Sequence, residues 1–507
     1  MYTLKCISRL PLNILTFQPI AKCSSKGIQN ATLQYRQSVQ NVMQGVAYGQ
    51  PTPWTHSHLI KDGEVVPGID VNEFQARRNK LMEKISRVNK SCFKISAHVV
   101  IIPSASKVYM SDKIPYVFRQ NTDFLYLTGC QEPNSILLMT AINDNYTSTL
   151  FMQPKNPQIE LWEGPRTGVT AALPFFQVDQ VFPVSEFHSI LQSFLNAHKN
   201  SIVWYDGANI LQAEVHQNLQ QLIKTLNKQE FNNPKSFLHE LRVIKSKAEQ
   251  NLMRRSCEIA SAAISETIRK SKIGMTEHEL FATVDYESRM RGAEFLAYPP
   301  VVAGGKNANV IHYIANNQFV CDKEMVLMDA GCEYHGYTSD ITRTWPINGT
   351  FTPNQRILYE IILDIQKTLI NKLKEMPSLD IIYHDMCRLL GKRLQEECII
   401  SKNLNTAQLL EAAHHCCPHH VSHYLGMDVH DTMNISLYNP VLPGMIITVE
   451  PGIYLNSNNK FVPSEFHGLG IRLEDNILIH EHTPEILTES CPKEVMEIEI
   501  LAQQNQT

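Results

Sequence analysis

Before Asp62 the chain contains no acidic residue, although Lys5, Arg9, Lys22, Lys26 and Arg36 all precede it. An acid-free, mildly apolar leader with Ser and Gln predicts a mitochondrial presequence over residues 1–50 and a matrix location, the alternative being a cytoplasmic tail. A long hydrophobic run is also missing. LPLNILTF is too short and too interrupted to span a bilayer, which excludes a membrane anchor there. No clean small-residue cleavage site follows it, which argues against a secretory signal. Basic excess is absent as well: 46 Lys and Arg stand against 50 Asp and Glu, so no nucleic-acid partner is expected. The 12 cysteines are scattered through mostly apolar contexts and form no disulfide framework, so they read as reduced. In HHCCPHH, Cys416 and Cys417 are adjacent and lack the C-x₂₋₄-C spacing with which two thiolates grip one zinc ion. There is no short repeat, low-complexity tract or coiled coil.

What is present is a change of pattern along 507 residues, a length that suits two or three domains. A turn-rich connector, 51–67, precedes a helix predicted over 71–90. HVVIIPSA follows, a continuous apolar run of the kind that forms a buried strand. FRQNTDFLYLTGC, SILLMTAI, TSTLFMQP and SIVWYD read as further strands, alternating with helices near 184–197 and 207–228. Residues 68–235 therefore read as an α/β domain. From Asn232-Asn233-Pro234 onward the pattern becomes α+β, with helices expected at 245–270, 276–291, 354–374, 377–396 and 404–415 among antiparallel strands. This second domain spans 236–507.

Five residues of the second domain carry chemistry: Asp329, Asp340, His423, Glu450 and Glu474. MVLMDAGCEYHGYTSDITRTW reads as a hairpin over 325–330 and 338–345. A turn centred between Tyr334 and His335 sets Asp329 directly opposite Asp340, with Cβ atoms about 5 Å apart. Carboxylates that close need a cation, a shared proton or solvent between them. Glu450 ends the apolar run MIITVEPGIY and Glu474 interrupts GIRLEDNILI, where an unpaired charge is costly. Arg472 points to the same face as Glu474 and is its potential ion-pair partner. His423 belongs to HHVSHYLGMDVHD, dense in histidine. Four carboxylates and one imidazole form a hard, oxygen-rich set suited to Mn²⁺, Mg²⁺, Fe²⁺ or Co²⁺.

Together with LAYPPVVAGG, IHY, MDAGCEY, SDITRTWP, HYLGMDVHD, TVEPGIY and GIRLED in this order, the chain resembles the aminopeptidase P and prolidase branch of the pita-bread metallopeptidases from about residue 48 onward. The resemblance implies an α/β N-terminal domain and an α+β pita-bread catalytic domain of the creatinase/aminopeptidase type. It implies two divalent metal ions, Mn²⁺ first, bridged by Asp340 and Glu474. Asp329 would complete one shell, and His423 and Glu450 the other. It makes a metal-bridging water the nucleophile and Glu450 the general base. His312 and His430 would contact the substrate carbonyl, and His419 would shape the proline side. Tyr298 and Arg472 would stand beside substrate and support Asp329 and Glu474. The expected partners are peptides or proteins with an N-terminal Xaa-Pro, and the resemblance implies a homo-oligomer, a dimer first, with a tetramer as the family's other form.

The segments FRQNTDFLYLTGCQEPNSILL and LWEGPRTG favour an aminopeptidase over a prolidase cutting Xaa-Pro dipeptides. A non-catalytic pita-bread binding protein is disfavoured because all five ligands are present. A metal-dependent phosphatase or nuclease would need basic groups for phosphate, and Arg343 and Arg472 are the nearest. Two departures from the family pattern stand out: His419-His420 replaces a frequent His-Gly pair, and Ala330 replaces a Gly.

Overall fold

The apolar run at 97–103 becomes strand Ala97–Pro103, buried at every position. It lies inside a five-stranded sheet ordered Gln180–Pro183, Asn145–Met152, Ile136–Ile142, Ala97–Pro103, Ser201–Trp204. The inner pairs are antiparallel and the two edge strands are parallel to their neighbours. Phe187, Leu191 and Leu195 of helix Phe187–Ala197 and Leu219 and Leu222 of helix Ala213–Thr225 cover one face, against Val99, Ile101, Leu138 and Phe151. Helix Val71–Arg87 packs against strand Ile136–Ile142. Sheet faces covered in this way explain the lack of polar alternation in these strands.

The computed structural model describes residues 46–87, 97–142, 145–226 and 231–506. The presequence expected over 1–50 lies outside them except for 46–50. Tyr48–Thr507 is one compact unit, so the change of architecture expected near residue 235 is not a gap between separate bodies.

One expected strand is a helix. FRQNTDFLYLTGC forms helix Thr122–Thr128, whose Asn121 side chain caps Phe124 N–H and whose Gly129, at φ 68°, ends it in the left-handed region. A short helix buried everywhere but at Asp123 shows, in Phe124–Leu127, the same uninterrupted apolar run as a buried strand. The Asn cap and the terminal Gly were the distinguishing marks.

In the second half, helices Lys247–Lys270, Glu277–Met290, Pro353–Lys372 and Thr406–Cys416 each begin with a reciprocal capping box: Ser246 with Glu249, Thr276 with Glu279, Thr352 with Gln355, Asn405 with Gln408. Leu379–Glu396 starts at a Ser378 cap. Met253, Cys257, Ala260, Ile264 and Ile268 form the buried stripe of the first of these helices. Helices Lys235–Arg242 and Val495–Gln503 were not expected from the pattern.

These helices enclose two kinked ribbons. In the first, Met325–Asp329 pairs with Thr342–Pro346, and beyond a break Cys332–Tyr334 pairs with Tyr337–Thr338. In the second, Ile446–Val449 pairs with Asp475–Leu478, and beyond a break Gly452–Tyr454 pairs with Gly470–Arg472. Each ribbon passes from one small sheet to another at its break. All four candidate carboxylates lie at these breaks or at a strand end beside them.

Candidate active site

The first ribbon corrects the expected register. His335 (φ 50°) and Gly336 (φ 81°) occupy the turn between paired Tyr334 and Tyr337, so the hairpin centres between His335 and Gly336. A two-residue hairpin turn with both φ positive is the arrangement whose twist matches the strands. Asp329 therefore faces Thr342, two positions beyond the expected Asp340. Asp340 lies across from the Gly331 break, where a Cβ on Gly331 would strike the Ser339 carbonyl oxygen at 1.6 Å. A shift of two preserves the face, and Tyr298 Oη joins the two carboxylates, 2.5 Å from Asp329 Oδ1 and 2.5 Å from Asp340 Oδ1.

In the second ribbon, Val449 pairs with Asp475 and Gly452 with Arg472. Continuing that register sets Glu450 opposite Glu474. The two ribbons are sewn together here: Glu474 N–H donates to Thr342 O at 3.1 Å, Thr342 Oγ1 donates to Glu474 Oε2 at 2.8 Å, and Asp340 N–H donates to Asn476 Oδ1 at 2.9 Å. His423 comes from a segment bridged to the second ribbon at Tyr424 and Ile447. Its Nδ1 lies 3.1 Å from Tyr424 O, which makes Nδ1 the N–H donor and leaves Nε2 to face the carboxylates. Nε2 is 3.3 Å from Asp340 Oδ2 and 3.6 Å from Glu450 Oε1.

One ligating atom from each of Asp340, His423 and Glu474 lies within 4.8 Å of the others, the only such group of His, Cys, Asp and Glu among the described residues. HHCCPHH forms no such group: Cys417 Sγ sits 3.6 Å from His419 Nε2, and Cys416 Sγ accepts from Asn459.

Electrostatics argue that the donors are built for cations. Burial and the neighbouring Asp340 and Glu450 push Glu474 well above the usual carboxylate range, and its Oε1 is buried with no hydrogen-bond partner. Burial lifts Glu450 to about 7 although His423 pulls against it. Burial likewise raises Asp329 despite Arg472. Burial opposes charge on His423, yet Asp340 and Glu450 hold it up at about 9. An orphaned carboxylate oxygen among mutually repelling buried acids fits divalent cations as the missing counter-charge.

Arg472 stands behind this set. It is 2 % exposed and donates to Asp329 Oδ2 at 2.6 Å, Thr342 Oγ1 at 3.1 Å and Tyr454 Oη at 2.8 Å. The direct Arg472–Glu474 pair considered from spacing is replaced by contact through Thr342, and the guanidinium faces Asp329, Thr342 and Tyr454 and is not part of the cleft lining. Tyr454 Oη lies 2.8 Å from His419 Nε2, while His419 Nδ1 lies 2.8 Å from His420 O. Burial and nearby Arg472 lower His419 to about 4, so it stays neutral at ordinary pH. His420 turns aside, stacking on Tyr383 with ring centroids 4.8 Å apart.

A cleft of about 480 Å³ opens beside Asp329 and Asp340, lined by Tyr298, His312, Ile314, His430 and Arg119. The His430 ring meets that of His423 edge-on, centroids 4.6 Å apart. Sequence reading missed Thr342, Thr448, Tyr454 and Arg119. Thr342 and Thr448 stand two residues from Asp340 and Glu450, the spacing that shares a strand face; Thr448 accordingly accepts from His423 N–H at 3.1 Å.

Carboxylate-bearing ribbons enclosed by helices, with an imidazole at their junction, define a metallopeptidase of the pita-bread fold. The metallopeptidase family M24 model matches residues 251–481, and the aminopeptidase P N-terminal domain matches residues 74–204. Xaa-Pro aminopeptidase 3 of Rattus norvegicus is 43 % identical over 89 % of this chain and 90 % of its own length. The mitochondrial intermediate cleaving peptidase 55 of Arabidopsis thaliana is 40 % identical, covering 89 % of this chain and 87 % of its own length. Among solved structures, proline aminopeptidase P II from Yersinia pestis has a TM-score of 0.78 at 32 % identity, covering 86 % of this chain and 99 % of its own. The chain belongs to metallopeptidase family M24, in its aminopeptidase P branch.

Proposed function

We propose that this chain is a two-metal aminopeptidase that releases the residue preceding proline from the N-terminus of Xaa-Pro peptides or proteins. The observation that carries the reading is the orphaned, buried Glu474 Oε1 within a set of four carboxylates and His423, open on one side to the cleft. The named relatives support the choice of substrate. Asp340 and Glu474 would bridge two ions, with Asp329 on one and His423 and Glu450 on the other. Mn²⁺ is the first choice for so oxygen-rich a set. Such ions polarise the scissile carbonyl and lower the pKa of an attacking water.

The protein's own groups do the rest. Glu450 takes the proton from the water and passes it to the leaving imino nitrogen. His312 and His430, on the cleft wall, hold the carbonyl oxygen. Neutral His419 shapes the proline side, and Tyr298 fixes Asp329 and Asp340. A bond before proline lacks the amide N–H, and the ring fixes φ. A site that holds the free amino terminus near Asp329 and receives a rigid ring has no need of that N–H. The acid-free leader and the mitochondrial relative support a mitochondrial matrix location, and the functional unit is proposed to be a homodimer.

The test compares a Xaa-Pro-Xaa tripeptide with a Xaa-Pro dipeptide, in Mn²⁺ and after chelation. Tripeptide preference, loss on chelation and near-abolition in Glu450→Gln are expected. Full activity in the chelated enzyme or in Glu450→Gln overturns the mechanism, and dipeptide preference makes the enzyme a prolidase.

A further inference from the structure

Arg119 belongs to the N-terminal domain, just ahead of helix Thr122–Thr128, yet its guanidinium lines the catalytic cleft. Its Nε donates to Glu333 Oε2 at 2.6 Å, and Nη2 to Met427 O at 2.7 Å and Asp428 Oδ1 at 3.3 Å. Thr122 Oγ1 donates to Asp428 Oδ1 at 2.7 Å. From the other side Arg242 Nη2 reaches Asp428 Oδ2 at 2.8 Å and also contacts Asp431, while its Nη1 reaches Asp123 Oδ1 at 2.6 Å. Thr338 N–H and Oγ1 each donate to Gly426 O at 2.9 Å.

The segment Gly426–Asp431 is thus fastened at its start by the catalytic ribbon and along its middle by the N-terminal domain. His430 lies between two anchored acids, and its ring rests against that of His423. Arg119 bonds the Met427 carbonyl three residues before His430, so it fixes backbone rather than only a surface charge. A planar fork with several donors suits this role, and a lysine point charge does not.

We propose that Arg119 is a positioning residue of the active site, acting through the loop Met427–Asp428–Val429 to place His430, so that the N-terminal domain sets part of the substrate-facing wall. The proposal rests on the aminopeptidase reading above. A substrate group displaced by about 1 Å can lose on the order of 100-fold in rate.

The test is a cycle of Arg119→Ala, His430→Ala and the double variant in the full Mn²⁺-loaded chain, on a Xaa-Pro-Xaa tripeptide and its C-terminal amide. Arg119→Ala is expected to lower kcat/KM at least ~10-fold on both peptides, and less than ~3-fold when His430 is already Ala, because coupled groups are not additive. Arg119→Lys recovers only part of the loss. Hydrogen exchange of peptides covering 426–431 quickens in Arg119→Ala while the rest of the chain keeps wild-type protection. Should Arg119→Ala not fold, Arg119→Met keeps the stem's packing and runs through the same cycle. Wild-type kinetics in the variant, an equal loss in both backgrounds, or a loss confined to the free-acid peptide overturns the proposal; the last would make Arg119 a direct carboxylate contact. If wild-type enzyme cleaves neither peptide, the aminopeptidase reading falls, and exchange at 426–431 still decides the positioning role.

Discussion

Arg472 and Asp329 form a buried ion pair at 2.6 Å, and the same guanidinium also holds Thr342 and Tyr454. Through these two hydroxyls one cation supports Glu474 and His419 as well. Arg472→Ala leaves Asp329 buried beside Asp340 without its counter-charge, and breaking such a pair from one side costs about 3–5 kcal/mol. Urea unfolding of the metal-free variant measures this, and calorimetric Mn²⁺ titration is expected to show a weakened site. A stability change below ~1 kcal/mol would sink the assignment of Arg472 as the anchor.

The residues that the sequence made legible are those whose type alone is telling. An acid inside an apolar strand, as at Glu450 and Glu474, is costly wherever the strand goes, so it announces itself before the fold is known. Helix starts were legible for the same local reason, since Ser246 with Glu249 or Thr352 with Gln355 caps within four residues. Register was not. Asp329 and Asp340 were expected to be opposed, but the positive φ of both His335 and Gly336 moves the turn centre by one residue and the pairing by two. The direct opposition belongs to Glu450 and Glu474, which no turn chemistry joins because 15 residues separate strand Gly452–Tyr454 from strand Gly470–Arg472. Arg119 was invisible because its importance comes from contacts more than 200 residues away.

Gly336→Ala tests the corrected turn. At φ 81° an L-residue is strained, and the new Cβ would lie 2.9 Å from Leu125 Cδ2. A loss of about 1–3 kcal/mol is expected from the backbone and the contact together. His335→Gly, at φ 50°, keeps the turn and is expected to cost less. Equal stability of Gly336→Ala and wild type in urea unfolding would contradict the turn assignment.

Glu474→Gln separates stability from metal binding. A carboxyl raised well above its ordinary value weakens the fold by an amount that grows from its unfolded pKa up to its folded one, so above about pH 5 the metal-free wild type carries this penalty. Glutamine removes it. Chelated Glu474→Gln is therefore expected to unfold at a higher midpoint than chelated wild type at pH 8. If Glu474 holds the proposed ions, saturating Mn²⁺ is expected to reverse the order, because ligand binding stabilises only the chain that can hold it. Two midpoint measurements per protein decide it, and a variant less stable than wild type without metal refutes the repulsion argument.

Asp475 supplies the acid sensitivity of the same ribbon. Burial alone would raise its pKa, but Arg343 at 2.8 Å and Lys493 outweigh burial and hold it at about 2, with Thr488 Oγ1 donating at 2.7 Å. The folded pKa is depressed, so its contribution is complete above the unfolded value near 3.9 and is lost as pH falls through 2. The shift corresponds to about 2–3 kcal/mol in all, of which about 1 kcal/mol has gone by pH 3. Urea unfolding of chelated wild type and Asp475→Asn at pH 5 and pH 3 tests this, since chelation removes the separate pH dependence of metal binding. Wild type is expected to lose about 1 kcal/mol more than the variant between the two pH values, the other carboxylates contributing equally to both. Parallel losses would mean that Asp475 titrates normally and that the Arg343 and Lys493 contacts do not hold its charge.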